Sequence, residues 1–211
     1  MKIMILINNP DSWYWEYAIS LMKKLKSMGH NIAIVDRDVD IQRGDMALFL
    51  SCERIVKPEI LERNGYNLVV HSSSLPQGKG WSPLTYQILE GKNEIVSTLF
   101  EAVNEVDAGV VYAKSTMTFR GDELLDELRE VQGNKVNEII LSFINHPTEG
   151  VPQEGEESFY EKRTPEDSEL DIDKSIADQF NLLRVVDNEQ YPAFFHHRGE
   201  KYIVKITKAV V

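Results

Sequence analysis

The sequence predicts an α/β fold: a mostly parallel sheet flanked by helices, closed by a short C-terminal helix and hairpin. Three observations predict it. Ile3 to Ile7 is a short, continuous apolar run, the mark of a strand buried on both faces. An amphipathic stretch follows, and Asn31 to Val35 is a second apolar run. Strand, helix and strand within about 35 residues make a βαβ unit, which requires parallel pairing.

The elements follow in order. Asn8-Asn9-Pro10-Asp11-Ser12 is turn chemistry. Tyr14, Tyr17, Ala18, Leu21, Met22 and Leu25 then share one helix face, with Lys23, Lys24 and Lys26 opposite and Gly29 as C-cap. Met46 to Leu50 is a strand, Pro58 to Arg63 a short helix, and Leu68 to Val70 a strand running into His71. Pro83 to Glu90 is a helix closed by Gly91. Glu94 to Val103 holds a strand, and Val110 to Thr118 another with imperfect alternation. Asp122 to Ile144 is the clearest helix, with Leu125, Leu128, Val136, Ile139, Ile140 and Phe143 at helical spacing. After Pro147 the character changes: residues 149–174 hold ten acidic and three basic side chains, −7 of the total −11. Phe159 and Tyr160 predict that this segment packs against the body; a solvated acidic loop is the other reading. A helix over 176–186 and a hairpin from Ala193–Phe195 and Lys201–Ile206 close the chain.

At 211 residues the chain is one large domain, or one domain with an appendage, and its core needs no staples. The single Cys52 excludes an internal disulfide and a Cys-based metal cluster. No apolar run approaches the roughly 18 residues that span a bilayer. The opening run is too short for a secretory signal, so a cytoplasmic location is expected, with no membrane partner. A net charge of −11 argues against a nucleic-acid partner, though a few local cations suffice for a small anion.

The densest polar cluster runs from His71 to Pro83, directly after a strand, where the ligand crevice of an open α/β sheet lies. A histidine there is placed for catalysis, or simply bonds local backbone. Asn104 to Gly109 is a second cluster; on its own it reads as a plain turn, but paired with His71 it supplies a carboxylate to orient an imidazole base. No Gly-x-Ser-x-Gly, P-loop or Gly-x-Gly-x-x-Gly pattern is present, which excludes the common hydrolase, nucleotide and nicotinamide readings.

The run His71-Ser72-Ser73-Ser74-Leu75-Pro76, then Gly80 and Pro83, then Asp107-Ala108-Gly109, resembles the folate-dependent formyltransferases. That family has Asn-x-His-Pro-Ser-Leu-Leu-Pro, a Gly, a Pro, and later Asp-x-Gly; the 36 residues between His71 and Asp107 fit it. The match covers roughly residues 46–145. Arg163 to Asp171, Asn181-Leu182-Leu183-Arg184 and Tyr191 to Phe195 are similar to the segment after the core in sugar N-formyltransferases, the short branch acting on nucleotide-linked amino sugars of pseudaminic-acid type.

The resemblance implies a Rossmann-like formyltransferase fold, 10-formyltetrahydrofolate as co-substrate, no metal, and a sugar amine as acceptor. It implies a catalytic core over 1–147 and an extension over 148–211 that completes the acceptor site, and it allows a homodimer. His71 matches the family's general base, Asp107 its partner and Ser73 its serine. Val56, Leu75, Val103, Asn104 and Val106 fall where the folate is held. On the acceptor side, Lys79, Arg163 and Arg184 are expected to meet a pyrophosphate, and Trp81, Tyr191 and Phe194 to stack, with Asn181 beside them. The family's Asn falls on Val69, which cannot donate to the formyl oxygen. Ser73, Asn104 or a backbone amide is the expected replacement. The methionyl-tRNA branch carries a further C-terminal domain, whereas 62 residues follow Glu149 here. Another small-molecule formyltransferase, a formyltetrahydrofolate hydrolase and a non-catalytic relative are the alternatives.

Overall fold

Strand β1 (Lys2–Leu6) is apolar along its length because both of its faces are covered. Strand side chains alternate between faces. Ile3, Ile5 and Ile7 therefore join one cluster, and Met4 and Leu6 another. The first cluster is covered by α1 (Trp15–Ser27), through Ala18, Leu21 and Leu25. Strands β2 (Asn31–Val35) and β3 (Gly44–Phe49) flank β1, both parallel to it. The second cluster adds Ile41, Ala47, Phe49 and Ile60, the last from α2 (Pro58–Leu61). The computed structural model describes residues 1–209, so the last two residues of the predicted 148–211 extension lie outside the described residues.

Strand β4 (Asn64–His71) pairs parallel with β3 and ends on the histidine. The two-residue β5 (Lys79–Gly80) and α3 (Pro83–Leu89) follow, then β6 (Glu94–Glu101) and β7 (Val111–Thr118). The six-stranded sheet has the order β2-β1-β3-β4-β6-β7. Only β6 runs against the common direction, being antiparallel to β4 and to β7. The imperfect alternation of β7 has a local cause: the register shifts between Leu99 and Phe100, which leaves Tyr112 as an extra residue.

Helix α4 (Leu125–Asn145) covers the same sheet face as α1, with Val136, Ile139, Ile140 and Phe143 in the shared core. Beyond it the acidic segment stays on the body. Val151 bridges Val111, and β8 (Phe159–Tyr160) pairs parallel with β5. Tyr160 stacks on Tyr86, with ring centroids 4.6 Å apart and planes 2° from parallel. Phe159 does not pack as expected; it is 61% exposed. Helix α5 covers only Phe180–Val185, shorter than the predicted 176–186. The reason is local: Gln179 Nε2 donates to the carbonyls of Asp171, Lys174 and Ser175, and Ile176 stays exposed, so the preceding residues turn instead of coiling. Strands β9 (Ala193–His197) and β10 (Glu200–Val204) form the closing antiparallel hairpin. Among the described residues no helix is long and apolar enough to cross a membrane.

Candidate active site

His71 lies at the carboxyl end of β4 with its ring buried. Its Nε2 is 2.7 Å from the Gly78 carbonyl oxygen. A carbonyl oxygen only accepts, so Nε2 carries the proton and donates. In the neutral ring Nδ1 is then the nitrogen with a free lone pair. The same Nε2 is 3.7 Å from Asp107 Oδ2. His71 thus bonds local backbone and also faces the carboxylate.

Asp107 reaches this point through the turn after β6. It adopts a left-handed φ of 51°, and its Oδ2 accepts the Gly80 N–H at 2.8 Å. Gln153 Nε2 donates to the carbonyls of Asp107 and Gly109, both at 2.8 Å, and so clamps the turn. A Cβ on Gly109 would lie 1.8 Å from the Glu101 carbonyl oxygen, so the close approach of this turn to β6 admits only glycine.

The pair opens on a cleft of about 1060 Å³. Phe49, Val69, Ala102, Cys52, Val56 and Leu61 give it one apolar flank and also pack together in the core. Trp81, Arg129, Lys162, Arg163, Asp187 and Tyr191 give it a polar flank. Lys162 Nζ lies 4.4 Å from the Trp81 ring centroid, a cation–π contact. Arg163 Nη2 donates to the Asp167 carbonyl at 2.7 Å. Burial pulls the Arg163 guanidinium below its ordinary value, against the attraction of Asp167. A partly desolvated cation of this kind is suited to an anionic ligand. Arg129 instead spends its charge on Asp187 at 3.1 Å. Burial pushes the Cys52 thiol up to about 12, which keeps it protonated and unreactive near neutrality.

The sequence-predicted residues divide. His71, Asp107, Val56, Val103, Val106, Trp81, Arg163 and Tyr191 all line the cleft. The other candidates do not. Ser73 is buried, its Oγ has no hydrogen-bond partner among the described residues, and it lies outside the cleft lining. Asn104 is exposed beside the cleft and outside its lining, and Leu75 is fully buried. Lys79 is 1% exposed and its Nζ meets Glu157 Oε1 at 2.5 Å, so it holds the acidic segment, not a pyrophosphate. Arg184 is likewise 1% exposed; it pairs with Glu123 at 3.2 Å and donates to Asn93 and Asn181. Arg184 is therefore structural, and Asn181 lies half-buried beside it, outside the cleft lining. Phe194 is buried on β9, outside the cleft lining. Sequence reasoning missed Arg129 and Gln132, which line the cleft from α4, with Gln132 Nε2 donating to Ser72 Oγ at 2.8 Å. Their i, i+3 spacing on the polar face of the helix was the available signal.

Asp187 supplies a pH prediction. Burial pushes its carboxyl up, but the N–H groups of Gln190 and Glu189 and the charge of Arg129 outweigh this and hold it below the ordinary range. A depressed acid stabilises the fold above the ordinary carboxylate pKa of about 4, and that contribution is lost as pH falls through the depressed value. The gap in urea midpoint between wild type and Asp187→Asn is expected to be widest at pH 7 and to close in acid. A gap that widens in acid would contradict the assignment.

No family model matches the chain. It is 29% identical over 131 residues to a methionyl-tRNA formyltransferase of Streptococcus agalactiae, covering 60% of this chain and 42% of that protein. It is 29% identical over 167 residues to that of Thermosipho melanesiensis, covering 78% of this chain and 52% of that one. The chain thus spans about half the length of these curated relatives. Among solved structures, methionyl-tRNA formyltransferase from Clostridium thermocellum superposes with a TM-score of 0.83 at 22% identity, over 100% of this chain and 94% of that one. HypX from Aquifex aeolicus in complex with tetrahydrofolic acid gives 0.79 at 18%, over 98% and 37%. A 4-N formyltransferase from Francisella tularensis gives 0.75 at 15%, over 100% and 98%. At these identities the likeness defines the architecture: the chain has the Rossmann-like formyltransferase fold, a mostly parallel sheet between helices.

Proposed function

We propose that this chain moves a formyl group from 10-formyltetrahydrofolate to the amine of a nucleotide-linked amino sugar, with His71 as general base and Asp107 as its partner. One observation carries the reading. The His71–Asp107 pair faces a cleft lined by an apolar cluster and by the cations Arg54, Arg129, Lys162 and Arg163. The slot formed by Phe49, Val69 and Ala102 suits a flat heteroaromatic ring such as a pterin, with Val56, Val103 and Val106 around it. The tetrahydrofolate bound to HypX, a protein of the same fold, supports that donor.

The chemistry asks for no protein nucleophile: the acceptor amine attacks the formyl carbon, the bond from that carbon to N10 of the folate breaks, and N10 leaves as a secondary amine that takes up one proton while the acceptor amine gives one up. His71 takes the proton lost by the amine, at Nδ1, since Nε2–H is committed to Gly78. Asp107 stabilises the imidazolium that results. A positioned base of this kind is worth about 10²- to 10⁴-fold, and alignment of the two substrates supplies much of the rest. Lys162 and Arg163 would meet the diphosphate of the acceptor and Trp81 its base or sugar. A UDP-linked 4-amino-4,6-dideoxy sugar is the finest form of this reading.

The sequence relatives favour a second acceptor, methionyl-tRNA. Against it stands the charge: −11 overall, with −7 in residues 149–174 flanking the cleft. Such a surface repels a polyanion. An assay with labelled 10-formyltetrahydrofolate against nucleotide-linked amino sugars and charged tRNA decides. Transfer to a sugar amine is expected; transfer to methionyl-tRNA alone would overturn the sugar reading. With the sugar acceptor, Arg163→Ala should raise the acceptor KM by roughly tenfold to a hundredfold, the worth of one charge-assisted contact, and leave the folate KM unmoved. Equal changes in both would remove Arg163 from the acceptor end.

A further inference from the structure

The acidic segment does more than cover the cleft. Residues 157–160 lie along β5, and the peptide groups of that short strand alternate between two sets of partners. On one side, Lys79 N–H donates to the Ser158 carbonyl at 2.9 Å and Trp81 N–H to the Tyr160 carbonyl at 3.0 Å. Gly78 N–H donates to Ser158 Oγ at 2.8 Å. On the other side, the Gly78 carbonyl accepts His71 Nε2–H at 2.7 Å, and Gly80 N–H donates to Asp107 Oδ2 at 2.8 Å. The peptide unit joining Gly78 to Lys79 is therefore bonded to Ser158 through its N–H and to His71 through its C=O. Hydrogen bonds in such a chain polarise one another.

We propose that Ser158, with Glu157 and Tyr160, is a positioning residue that holds His71 in the Nε2–H form and keeps it against Asp107. The proposal rests on His71 being the base. Further contacts anchor the segment. Lys79 Nζ, buried, meets Glu157. Tyr160 stacks on Tyr86, and its hydroxyl donates to Glu90 at 2.8 Å. The fit between segment and strand is close enough to dictate two glycines. A Cβ on Gly80, at φ +92°, would lie 2.5 Å from the Tyr160 carbonyl oxygen, and one on Gly78, at φ +69°, 2.9 Å from the Tyr160 ring. Neither of the two reacting side chains touches Ser158 itself, so its effect passes entirely through backbone.

The test reads the imidazole and the rate separately. The five histidines are labelled with ¹⁵N, and His71 is assigned by its loss in His71→Gln. Wild type is expected to show the Nε2–H tautomer at His71. Ser158 is exposed, so Ser158→Ala should fold. The variant keeps the Ser158 carbonyl that holds Lys79 N–H and loses only the Oγ that accepts Gly78 N–H. With Gly78 released, it should bring in the Nδ1–H form and lower kcat by about tenfold to a hundredfold, the range a small misplacement costs, with the folate KM changed less than twofold. Ser158→Thr, which keeps the hydroxyl acceptor, should restore both. Lys79→Met, which removes the anchor to Glu157, should move both readouts in the direction of Ser158→Ala. An unchanged tautomer in Ser158→Ala and Lys79→Met overturns the proposal even if the enzyme transfers formyl groups. If the tautomer responds but wild type transfers no formyl group, the positioning role stands and the transferase reading falls.

Discussion

His71→Ala should lower kcat by at least about a hundredfold and leave the affinity for a folate analogue within a few-fold of wild type. A base acts on the proton of the acceptor amine, not on the pterin. The apolar flank at Phe49, Val69 and Ala102 is untouched by the change. Rapid-mixing kinetics with saturating co-substrates would measure the loss, and equilibrium binding of a non-reactive folate analogue would measure the rest. Near-normal turnover at neutral pH in the purified variant would remove His71 from the base role. Loss of folate binding in proportion to rate would make it a scaffold residue. The binding arm matters because His71 also holds Gly78 through Nε2, so some loosening of the loop is expected alongside the chemical loss.

The second large effect is on stability. Arg184→Ala should cost about 3–5 kcal/mol, because it leaves Glu123 as a buried carboxylate without its charged partner. For a domain of this size that is of the order of 10 °C in Tm. The acceptor KM should not move, since Arg184 lies outside the cleft lining. Replacing both partners, Glu123→Gln with Arg184→Met, should recover much of the loss, because it removes both charges while the amide oxygen can still accept from the Arg120 and Gly121 backbone, which Glu123 now caps at 2.6 and 3.0 Å. Thermal melts of wild type and the two variants read this directly. A loss below about 1 kcal/mol in the single variant would mean that water reaches the pair.

The parallel half of the sheet was legible because β1 and β3 are apolar on both faces, β2 is a short apolar run one helix away from β1, and α1 and α4 carry clear helical stripes. The reversal of β6 was not. Its apolar run reads the same in either direction, and only the length and course of its connections decide the sense of pairing. His71 and Asp107 were legible as chemistry because each follows a strand within a turn-forming cluster. Arginine and lysine roles were the weak point. Lys79, Arg163 and Arg184 are alike in sequence, yet two are buried against Glu157 and Glu123 and one faces the cleft. A cation in an acidic chain announces that it has a partner; whether that partner is a carboxylate of the protein or a ligand depends on residues about 60 to 80 positions away, which local sequence does not encode. The glycines at 78 and 80 belong to the same class: their necessity is set by Tyr160, from the far end of the chain.

The chain has three tryptophans, and Trp13 and Trp81 both line the cleft, while Trp15 donates its indole N–H to the Asn9 carbonyl. Two of the three indoles that emit in the ultraviolet therefore sit in the wall of the cleft. An oxidised pterin, as in folic acid, absorbs where indole emits, so seating folic acid as a non-reactive analogue should quench the signal by energy transfer, with no label attached. Trp81 also carries Lys162 over its ring. An anion that draws Lys162 away would change the emission of Trp81 alone, so Trp13→Phe and Trp81→Phe would give two optical channels, the second variant blind to that movement. Donor and acceptor occupancy can then be followed in the same cuvette.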